Sequence, residues 1–340
     1  MTVSAEDLEA FGQYGRTAEL KVALEENLFV KTEIYYEFRH RVFGVVEDRG
    51  ARLKVGRKEQ KGAALIGPAG SGKSRIAEEV IKEYHALAEA SGGREFGYRI
   101  ISVIVPGRAT VRETLVAILK TLGYKAKGGI REEDTLANTV MTQLKEHRVA
   151  AIHLDEVQDS GRFKTSDSVE AFAKRFRNFT QDKEWPVCLL MTATLEGKAM
   201  INHDPTLTRR LRPIEIKPIT FKESGQQLRS TVKQLLADAK INDTASLVDE
   251  DEFIKILIHA TVGRFGIAVE MAIEAIGECV DDGRDEIEMG YFADAYALRN
   301  DCDEELNPFV SENWNTIDTG KALQRYQAET QQRRRRAKST

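Results

Sequence analysis

The chain has 340 residues, of which 41% are hydrophobic and 31% are charged, and its formal net charge at pH 7 is −4. This composition predicts a globular protein with a sizeable core and excludes a polycation, so any contact with nucleic acid requires a local basic face. No apolar run is long enough to cross a membrane, no apolar leader follows Met1, and the three cysteines are far apart. We therefore expect a cytoplasmic protein with reduced thiols and no membrane partner.

Strand and helix patterns alternate after a helical start. Residues 1–50 predict an N-terminal helical segment, and residues 51–217 predict an α/β domain. Apolar runs separated by amphipathic helices imply a parallel sheet covered on both faces. The runs that predict buried strands are 63–66, 98–106, 149–156 and 187–194.

A glycine-rich loop follows the first predicted strand. The phosphate-binding pattern G-x-x-x-x-G-K-[ST] is matched at every fixed position by Gly67-Pro68-Ala69-Gly70-Ser71-Gly72-Lys73-Ser74. Glycines allow consecutive backbone N–H groups to point at one phosphate, and the start of a helix adds the positive end of its dipole. Lys73 is expected to reach the β- and γ-phosphates of ATP, and the Ser74 hydroxyl to bind Mg²⁺.

A later strand pattern ends in two acidic residues, Asp155 and Glu156. Because the carboxyl ends of parallel strands share one edge of a sheet, both carboxylates are expected beside the phosphate loop. Asp155 is expected to bind Mg²⁺ through its water shell. Glu156 is then placed to orient or deprotonate the water that attacks ATP.

The following strand pattern ends in Thr192 and Thr194, and an arginine cluster comes after it. A threonine hydroxyl there can contact the γ-phosphate or the attacking water, although threonine is also common in strands for structural reasons. Arg209, Arg210 and Arg212 precede an apolar segment. One of them can act as an arginine finger on the γ-phosphate of a neighbouring subunit; a solvated basic turn is the alternative.

Beyond residue 217, the apolar residues recur only at helical spacing. Residues 218–300 predict an α-helical domain, in which Gly263 and Arg264 stand at the start of a helix. Residues 301–340 predict a polar C-terminal tail that is extended, disordered or partner-binding, and they include four consecutive arginines at 333–336.

Taken in order, these features resemble the AAA+ ATPases over roughly residues 35–300. The resemblance implies an α/β P-loop NTPase fold with a five-stranded parallel sheet, a C-terminal α-helical lid, and ATP held between adjacent subunits of a ring or helical filament. It also implies roles for individual residues. Thr194 would be the sensor with Thr192 in reserve, Arg210 the finger, although Arg-Leu stands here where the family often has Arg-Phe, and Arg264 the nucleotide contact of the lid.

The segment DCDEELNPFVSENWNTID (301–318) resembles the C-terminal pattern of TniB-type transposition ATPases, relatives of the TnsC regulators. The matching part is NPF followed by a tryptophan; packing of these residues as a loop on the lid is the alternative. The resemblance implies ATP-dependent assembly on double-stranded DNA, selection of a target site and activation of a DDE transposase. A target-selection protein is a further candidate partner.

Basic residues on two predicted loops suggest where DNA would bind. Arg108 and Arg112 follow one strand pattern, and Arg162 and Lys164 follow Asp155 and Glu156. In this fold both loops can face the channel of a ring, where they would meet phosphates without reading bases. Solvated charge is the alternative for each residue. Two other functions stay open: a DNA-remodelling AAA+ motor of the clamp-loader or branch-migration kind, and a nucleotide-regulated switch that binds protein partners.

Overall fold

The computed structural model describes residues 5–106, 110–124, 132–157, 166–203 and 205–320. The chain divides into two compact units. One is an α/β unit, Lys31–Lys217, and the other is a helical unit that joins the residues before Lys31 to those from Pro218 onward.

The secondary structure alternates in the α/β unit and is helical in the other. The strands are β1 (Gly62–Ile66), β2 (Arg99–Ile104), β3 (Val149–Asp155), β4 (Cys188–Ala193) and β5 (Ile214–Glu215). The helices are α1 (Ala5–Asn27), α2 (Glu33–Lys54), α3 (Lys73–Ala90), α4 (Val111–Thr121), α5 (Glu133–Glu146), α6 (Ser166–Phe179), α7 (Leu195–His203), α8 (Pro205–Leu211), α9 (Phe221–Ala239), α10 (Asp251–Ala260), α11 (Phe265–Asp281) and α12 (Met289–Asn300).

The five strands form one parallel sheet in the order β2-β3-β4-β1-β5. Every residue of β1, β3 and β4 is buried, whereas exposed and buried residues are mixed along the edge strand β2. In the register of the sheet, Leu65 pairs with Thr192 and Leu154 pairs with Met191. The carboxyl ends of β1 and β3 therefore lie on either side of the end of β4, and the expected five-stranded parallel fold is confirmed.

Helices cover the sheet with amphipathic faces whose ends are set by local sequence. At the start of α4, the Thr110 hydroxyl accepts from the Glu113 N–H at 3.2 Å, and the Glu113 carboxylate accepts from the Thr110 N–H at 2.6 Å. This reciprocal cap satisfies two backbone donors that a helix start leaves open. The apolar face of α4 then packs with β3 and α6 in one core, which includes Leu115, Ile152 and Phe172.

The predicted N-terminal segment 1–50 is divided between the two units. Helix α1 packs on α11 and α9 in the helical unit, where the Gln13 side chain donates to the Val280 carbonyl at 3.0 Å. Helix α2 begins after Thr32, whose hydroxyl accepts from the Tyr35 N–H, and it packs on β1 and α3. Two helices with separate apolar faces therefore stand where one helical segment was expected.

Residues 301–320 differ from the expected polar tail because they pack on the helical unit. The buried Asn307 side chain donates to the Ala293 carbonyl at 2.8 Å. Phe309 stacks on Phe292 with ring centroids 5.8 Å apart, and Trp314 meets the His259 ring edge-on at 5.2 Å. The aromatic residues of the NPF…W pattern therefore extend the core of this unit, and the arginines at 333–336 lie outside the described residues.

Among the residues that the structure describes, no single helix combines the length and apolar character needed to cross a membrane. Helices α10 and α11 meet that requirement only as a pair, by length and composition, with a bend of 110° between them. Their apolar residues, among them Phe253, Leu257 and Ile276, form the core of the helical unit.

Candidate nucleotide-binding and hydrolysis site

The loop between β1 and α3 has the backbone of a phosphate cradle. Gly70 and Gly72 have φ angles of +73° and +83°, in the region that only glycine adopts without strain. A Cβ on Gly67 would lie 2.8 Å from Ser71 Oγ and 3.0 Å from Ile216 Cβ, so no larger residue fits there without a shift. The loop therefore turns tightly onto the N-terminus of α3, where backbone N–H groups and the helix dipole favour an anion.

Lys73 lies over this loop and is buried, with 4% of its surface exposed. Its Nζ donates to the Pro68 carbonyl oxygen at 2.9 Å. The Ser71 hydroxyl donates to the same carbonyl oxygen at 2.8 Å. An ammonium group offers three donors, so this cation at the loop suits a polyphosphate chain.

Asp155 ends β3 and has 8% of its surface exposed. Its Oδ1 accepts two hydrogen bonds, one from the Thr192 hydroxyl on β4 and one from the Glu156 N–H at 3.0 Å. The sheet thus places this carboxylate beside the end of β4, one strand away from the phosphate loop. The role of Asp155 as a metal-binding carboxylate stays a prediction.

Glu156 adopts a left-handed backbone conformation with φ of +57°. A residue with a Cβ pays roughly 1 kcal/mol or more for this conformation, and such strain is concentrated at functional sites. The turn leaves the side chain of Glu156 half-buried at the carboxyl edge of the sheet. The two adjacent carboxylates thus differ in burial, because Asp155 is buried and Glu156 is half-buried.

Behind Asp155 lies a polar group that the sequence analysis missed, the buried His153. Its Nδ1 is 2.8 Å from Ser102 Oγ, and its Nε2 is 3.1 Å from Thr192 Oγ1. Burial lowers the pKa of His153 to about 4, against the opposing effect of the Asp155 charge, so the ring is neutral near pH 7. A lone histidine within an apolar strand was the only signal in the sequence, because its partners belong to two other strands.

The two candidate sensor threonines differ in their surroundings. Thr192 is fully buried in β4 and is bonded to Asp155, as described above. Thr194 lies just beyond the end of β4, half-buried, and its hydroxyl donates to the Glu196 carboxylate. Thr192 is therefore fixed to the Asp155 carboxylate, whereas Thr194 lies beyond the end of the strand.

Arg210, the expected arginine finger, is buried within its own chain. It has 5% of its surface exposed and donates to Thr180 Oγ1 at 2.6 Å and to Glu59 Oε1 at 3.0 Å. Burial lowers the pKa of this guanidinium, partly offset by Glu59. A side chain held in this way does not extend to another subunit. Arg209, with a side chain 71% exposed, and the exposed Arg212 are better placed to do so.

The arginine cluster stands at the edge of the sheet opposite the phosphate loop. Glu59 precedes β1, Thr180 follows α6, and the Gln60 N–H donates to the Thr180 carbonyl at 2.9 Å. These residues surround the amino ends of β1 and β4, whereas the phosphate loop follows the carboxyl end of β1. Because a strand separates the two edges, the cluster does not serve the phosphate loop of its own chain.

The remaining predicted residues are placed as follows. Ser74 is the second residue of α3 and is half-buried, and Arg112 lies in the first turn of α4. Arg264 precedes α11 in the helical unit, after Gly263, whose carbonyl accepts from the Ile219 N–H at 2.8 Å. The basic residues that fall outside the described part of the chain are Arg108, Arg162 and Lys164.

Magnesium would have few protein ligands here. Within the described ranges, no group of three or more His, Cys, Asp and Glu residues is placed to hold a metal ion. Mg²⁺ usually keeps several waters and is held by one or two protein oxygens together with substrate phosphates. The donor set of Ser74 and Asp155 fits that arrangement.

The strand order, the phosphate loop after β1 and the acidic pair at the end of β3 define an AAA+ P-loop ATPase. Solved structures of low sequence identity share this fold. The ORC2 protein of Aeropyrum pernix has a TM-score of 0.57 at 12% identity, over 82% of this chain and 72% of that one. Cdc6p of Pyrobaculum aerophilum has a TM-score of 0.51 at 13% identity, and the match covers 76% of this chain and 69% of that one. The Aeropyrum pernix ORC1 protein in complex with DNA has a TM-score of 0.55 at 16% identity, and the match covers 78% of this chain and 65% of that one.

The particular family is identified by sequence. The family model described as bacterial TniB protein matches residues 34–221, which is more than half of the chain and includes the phosphate loop, Asp155, Glu156 and the arginine cluster. The chain therefore belongs to the TniB family. A comparison with curated proteins found no significant match.

Proposed function

We propose that this chain is an ATP-dependent regulator of DNA transposition that assembles on target double-stranded DNA and recruits and activates a DDE transposase. The observation that carries the proposal is the TniB-family match over residues 34–221, a range that contains the phosphate loop, Asp155, Glu156 and the arginine cluster. A transposition regulator of this kind needs a nucleotide site that controls assembly, a DNA-binding surface and a partner surface.

The nucleotide site is proposed to work through four residues. Lys73 and the loop N–H groups bind the β- and γ-phosphates, and Ser74 and Asp155 hold Mg²⁺, which neutralises phosphate charge when it is bound. Glu156 orients the attacking water and accepts its proton. The left-handed backbone at Glu156, next to Asp155 at the carboxyl edge of the sheet, supports a functional role, because strained residues cluster at active sites.

Assembly is proposed to complete this site across a subunit boundary. The arginine cluster lies at the opposite sheet edge from the phosphate loop, so it would act on the nucleotide of a neighbouring subunit in a ring or helical filament. Arg209 is the first candidate, because its side chain is exposed, and Arg212 is the second. Thr194 as sensor and Arg264 as the nucleotide contact of the lid remain proposals from the family resemblance.

DNA binding is proposed to use basic residues on loops that line a channel after assembly. Arg112, in the first turn of α4, is the member of this set in the described part of the chain. Arg108, Arg162 and Lys164 complete the set as sequence predictions. Contacts of this kind neutralise phosphates, so binding should depend strongly on salt and weakly on base sequence.

Fluorescence anisotropy with several unrelated duplexes tests the proposal. DNA binding is expected in the presence of ATP or a slowly hydrolysed analogue and is expected to be lost without nucleotide. Its affinity should fall steeply as salt increases. ATPase activity is expected to rise when DNA is added. A DDE transposase whose gene neighbours that of this protein is expected to bind the DNA-assembled form. Tight DNA binding without nucleotide, or a strong preference for one duplex, would contradict the proposal.

A further inference from the structure

A line of three hydrogen bonds leads from the edge strand β2 to the carboxylate of Asp155. Ser102 Oγ on β2 is 2.8 Å from His153 Nδ1 on β3, and His153 Nε2 is 3.1 Å from Thr192 Oγ1 on β4. The Thr192 hydroxyl in turn donates to Asp155 Oδ1. His153 and Thr192 are buried, with 1% and 0% of their surfaces exposed, whereas Ser102 is exposed.

The direction of each bond follows from the last acceptor. An ionised carboxylate only accepts, so the single proton of the Thr192 hydroxyl is committed to Asp155. The Thr192 oxygen must then accept from His153, which requires a hydrogen on Nε2. A neutral ring with Nε2–H leaves Nδ1 as the acceptor for the Ser102 hydroxyl. All three donors therefore point toward Asp155, and aligned bonds of this kind strengthen one another.

We propose that His153 is a positioning residue that holds Asp155 in the orientation that binds Mg²⁺, acting through Thr192. The proposal rests on the proposed ATPase site and adds a residue to it. His153 touches neither nucleotide nor metal. It fixes the hydroxyl that fixes the carboxylate, as outer partners commonly do for metal ligands.

The geometry at the carboxylate explains what this orientation achieves. Both hydrogen bonds that the described residues donate to Asp155, from Thr192 and from the Glu156 N–H, go to Oδ1. The carboxylate is thereby tied at one oxygen, and its other oxygen would be available to hold the metal through water. A carboxylate without the Thr192 bond would rotate more freely, and the entropy lost in ordering it would weaken metal binding.

The alternative is a purely structural role, in which His153 and Thr192 only satisfy each other's hydrogen bonds in the core. Burying a histidine and a threonine between apolar strands is costly unless both are hydrogen-bonded, and an apolar pair of similar volume would avoid that cost. A purely structural role would affect stability. A positioning role would affect Mg²⁺ dependence instead, and the two can be separated by measurement.

The first test compares substitutions in the full-length chain that differ in one donor. His153→Gln keeps a side-chain N–H near the position of Nε2, whereas His153→Phe keeps a ring and loses the donor. Fluorescent ATP-analogue binding is titrated with Mg²⁺ and, separately, measured in EDTA. His153→Phe is expected to raise the Mg²⁺ concentration for half-maximal binding by about 10- to 100-fold while binding in EDTA changes little. His153→Gln is expected to recover most of the loss, and Thr192→Val to match His153→Phe.

The second test needs no nucleotide, and its test variant changes only an exposed residue. In ¹⁵N-histidine NMR spectra, with the His153 signals assigned by their absence in His153→Gln, the ring is expected to carry hydrogen on Nε2 and not on Nδ1. Replacement of the exposed Ser102 by alanine is expected to shift the Nδ1 resonance and leave the fold intact. An Nδ1–H ring would overturn the proposal, because Thr192 would then have no donor from His153.

The outcomes separate this proposal from the proposed function. If the wild-type chain binds nucleotide with Mg²⁺ dependence and His153→Phe leaves that dependence unchanged, the positioning role is wrong and the ATPase site stands. If the wild-type chain binds no nucleotide, the proposed function is wrong, and the ring tautomer still decides whether the hydrogen-bond line exists.

Discussion

Arg210 is joined to Glu59 by a 3.0 Å hydrogen bond at the amino edge of the sheet, on the far side from the phosphate loop. The same carboxylate oxygen accepts from Arg209 at 2.8 Å. Arg210 is buried and Arg209 is exposed, so Glu59 binds one cation in the core and one at the surface. The two arginines are therefore expected to respond differently to substitution.

Arg210→Ala is expected to lower the free energy of unfolding by about 2 kcal/mol, because Thr180 and Glu59 lose a charged donor in a buried place. Arg209→Ala is expected to leave stability nearly unchanged, since exposed ion pairs contribute little. Urea denaturation of both variants is the measurement. Equal stability of the two variants would contradict the assignment of Arg210 to the fold.

Arg209→Ala is expected to keep ATP affinity and to reduce hydrolysis in the assembled state, by about 1,000-fold for a full arginine finger. The reason is that the finger acts on the nucleotide of the neighbouring subunit. Mixing this variant with Glu156→Gln should restore part of the activity, because some boundaries then combine an intact finger with an intact Glu156. A loss seen with Arg212→Ala and not with Arg209→Ala would assign the role to Arg212.

Lys73→Ala and Glu156→Gln are expected to separate binding from turnover. Lys73→Ala removes the buried ammonium over the phosphate loop and should abolish ATP binding. Glu156→Gln keeps the side-chain length and the left-handed backbone, and it leaves Asp155 in place, so binding should persist while hydrolysis stops. Isothermal titration and phosphate release measure the two properties. Wild-type turnover in Glu156→Gln would show that another group activates the water.

The fold and the core of the site were predictable because their signals are local. The phosphate loop and the acidic pair Asp155-Glu156 each occupy consecutive positions next to an apolar strand, and parallel topology brings their strand ends to one edge. What the sequence analysis missed depends on distant partners. The burial of Arg210 requires Glu59, more than a hundred residues away, and the role of His153 requires two other strands. Strand β5 is only Ile214–Glu215, too short for a periodic pattern.

His85 gives the α/β unit a pH-dependent contact. Its Nε2 accepts from the Ile100 N–H at 2.8 Å, and burial lowers its pKa from the usual 6.5. Because the folded pKa lies below the unfolded one, this contribution to stability is fully present above pH 6.5 and is lost as the pH falls toward the folded value. His85→Gln can keep an acceptor that does not titrate. Between about pH 7 and about pH 5, its stability should therefore fall less steeply than that of the wild type, by up to about 1.4 kcal/mol per pH unit. Urea denaturation of both proteins at each pH is the measurement. An equal loss of stability in the two proteins as the pH falls would contradict the prediction.

Phe309 and Val310 test whether the NPF…W segment belongs to the helical unit. Phe309 has 7% of its surface exposed and packs on Phe292 and Tyr296, whereas its neighbour Val310 is 51% exposed. Phe309→Ala is expected to lower the free energy of unfolding by about 3 kcal/mol, and Val310→Ala to change it little. Ending the chain after Asn300 should likewise destabilise it, whereas ending it after Gly320 keeps every one of these contacts. Thermal unfolding of the four variants measures the difference. Loss of transposase binding in the Gly320 truncation with unchanged stability would place the partner contact beyond residue 320. If Phe309→Ala is as stable as Val310→Ala, the packing of this segment does not stabilise the helical unit.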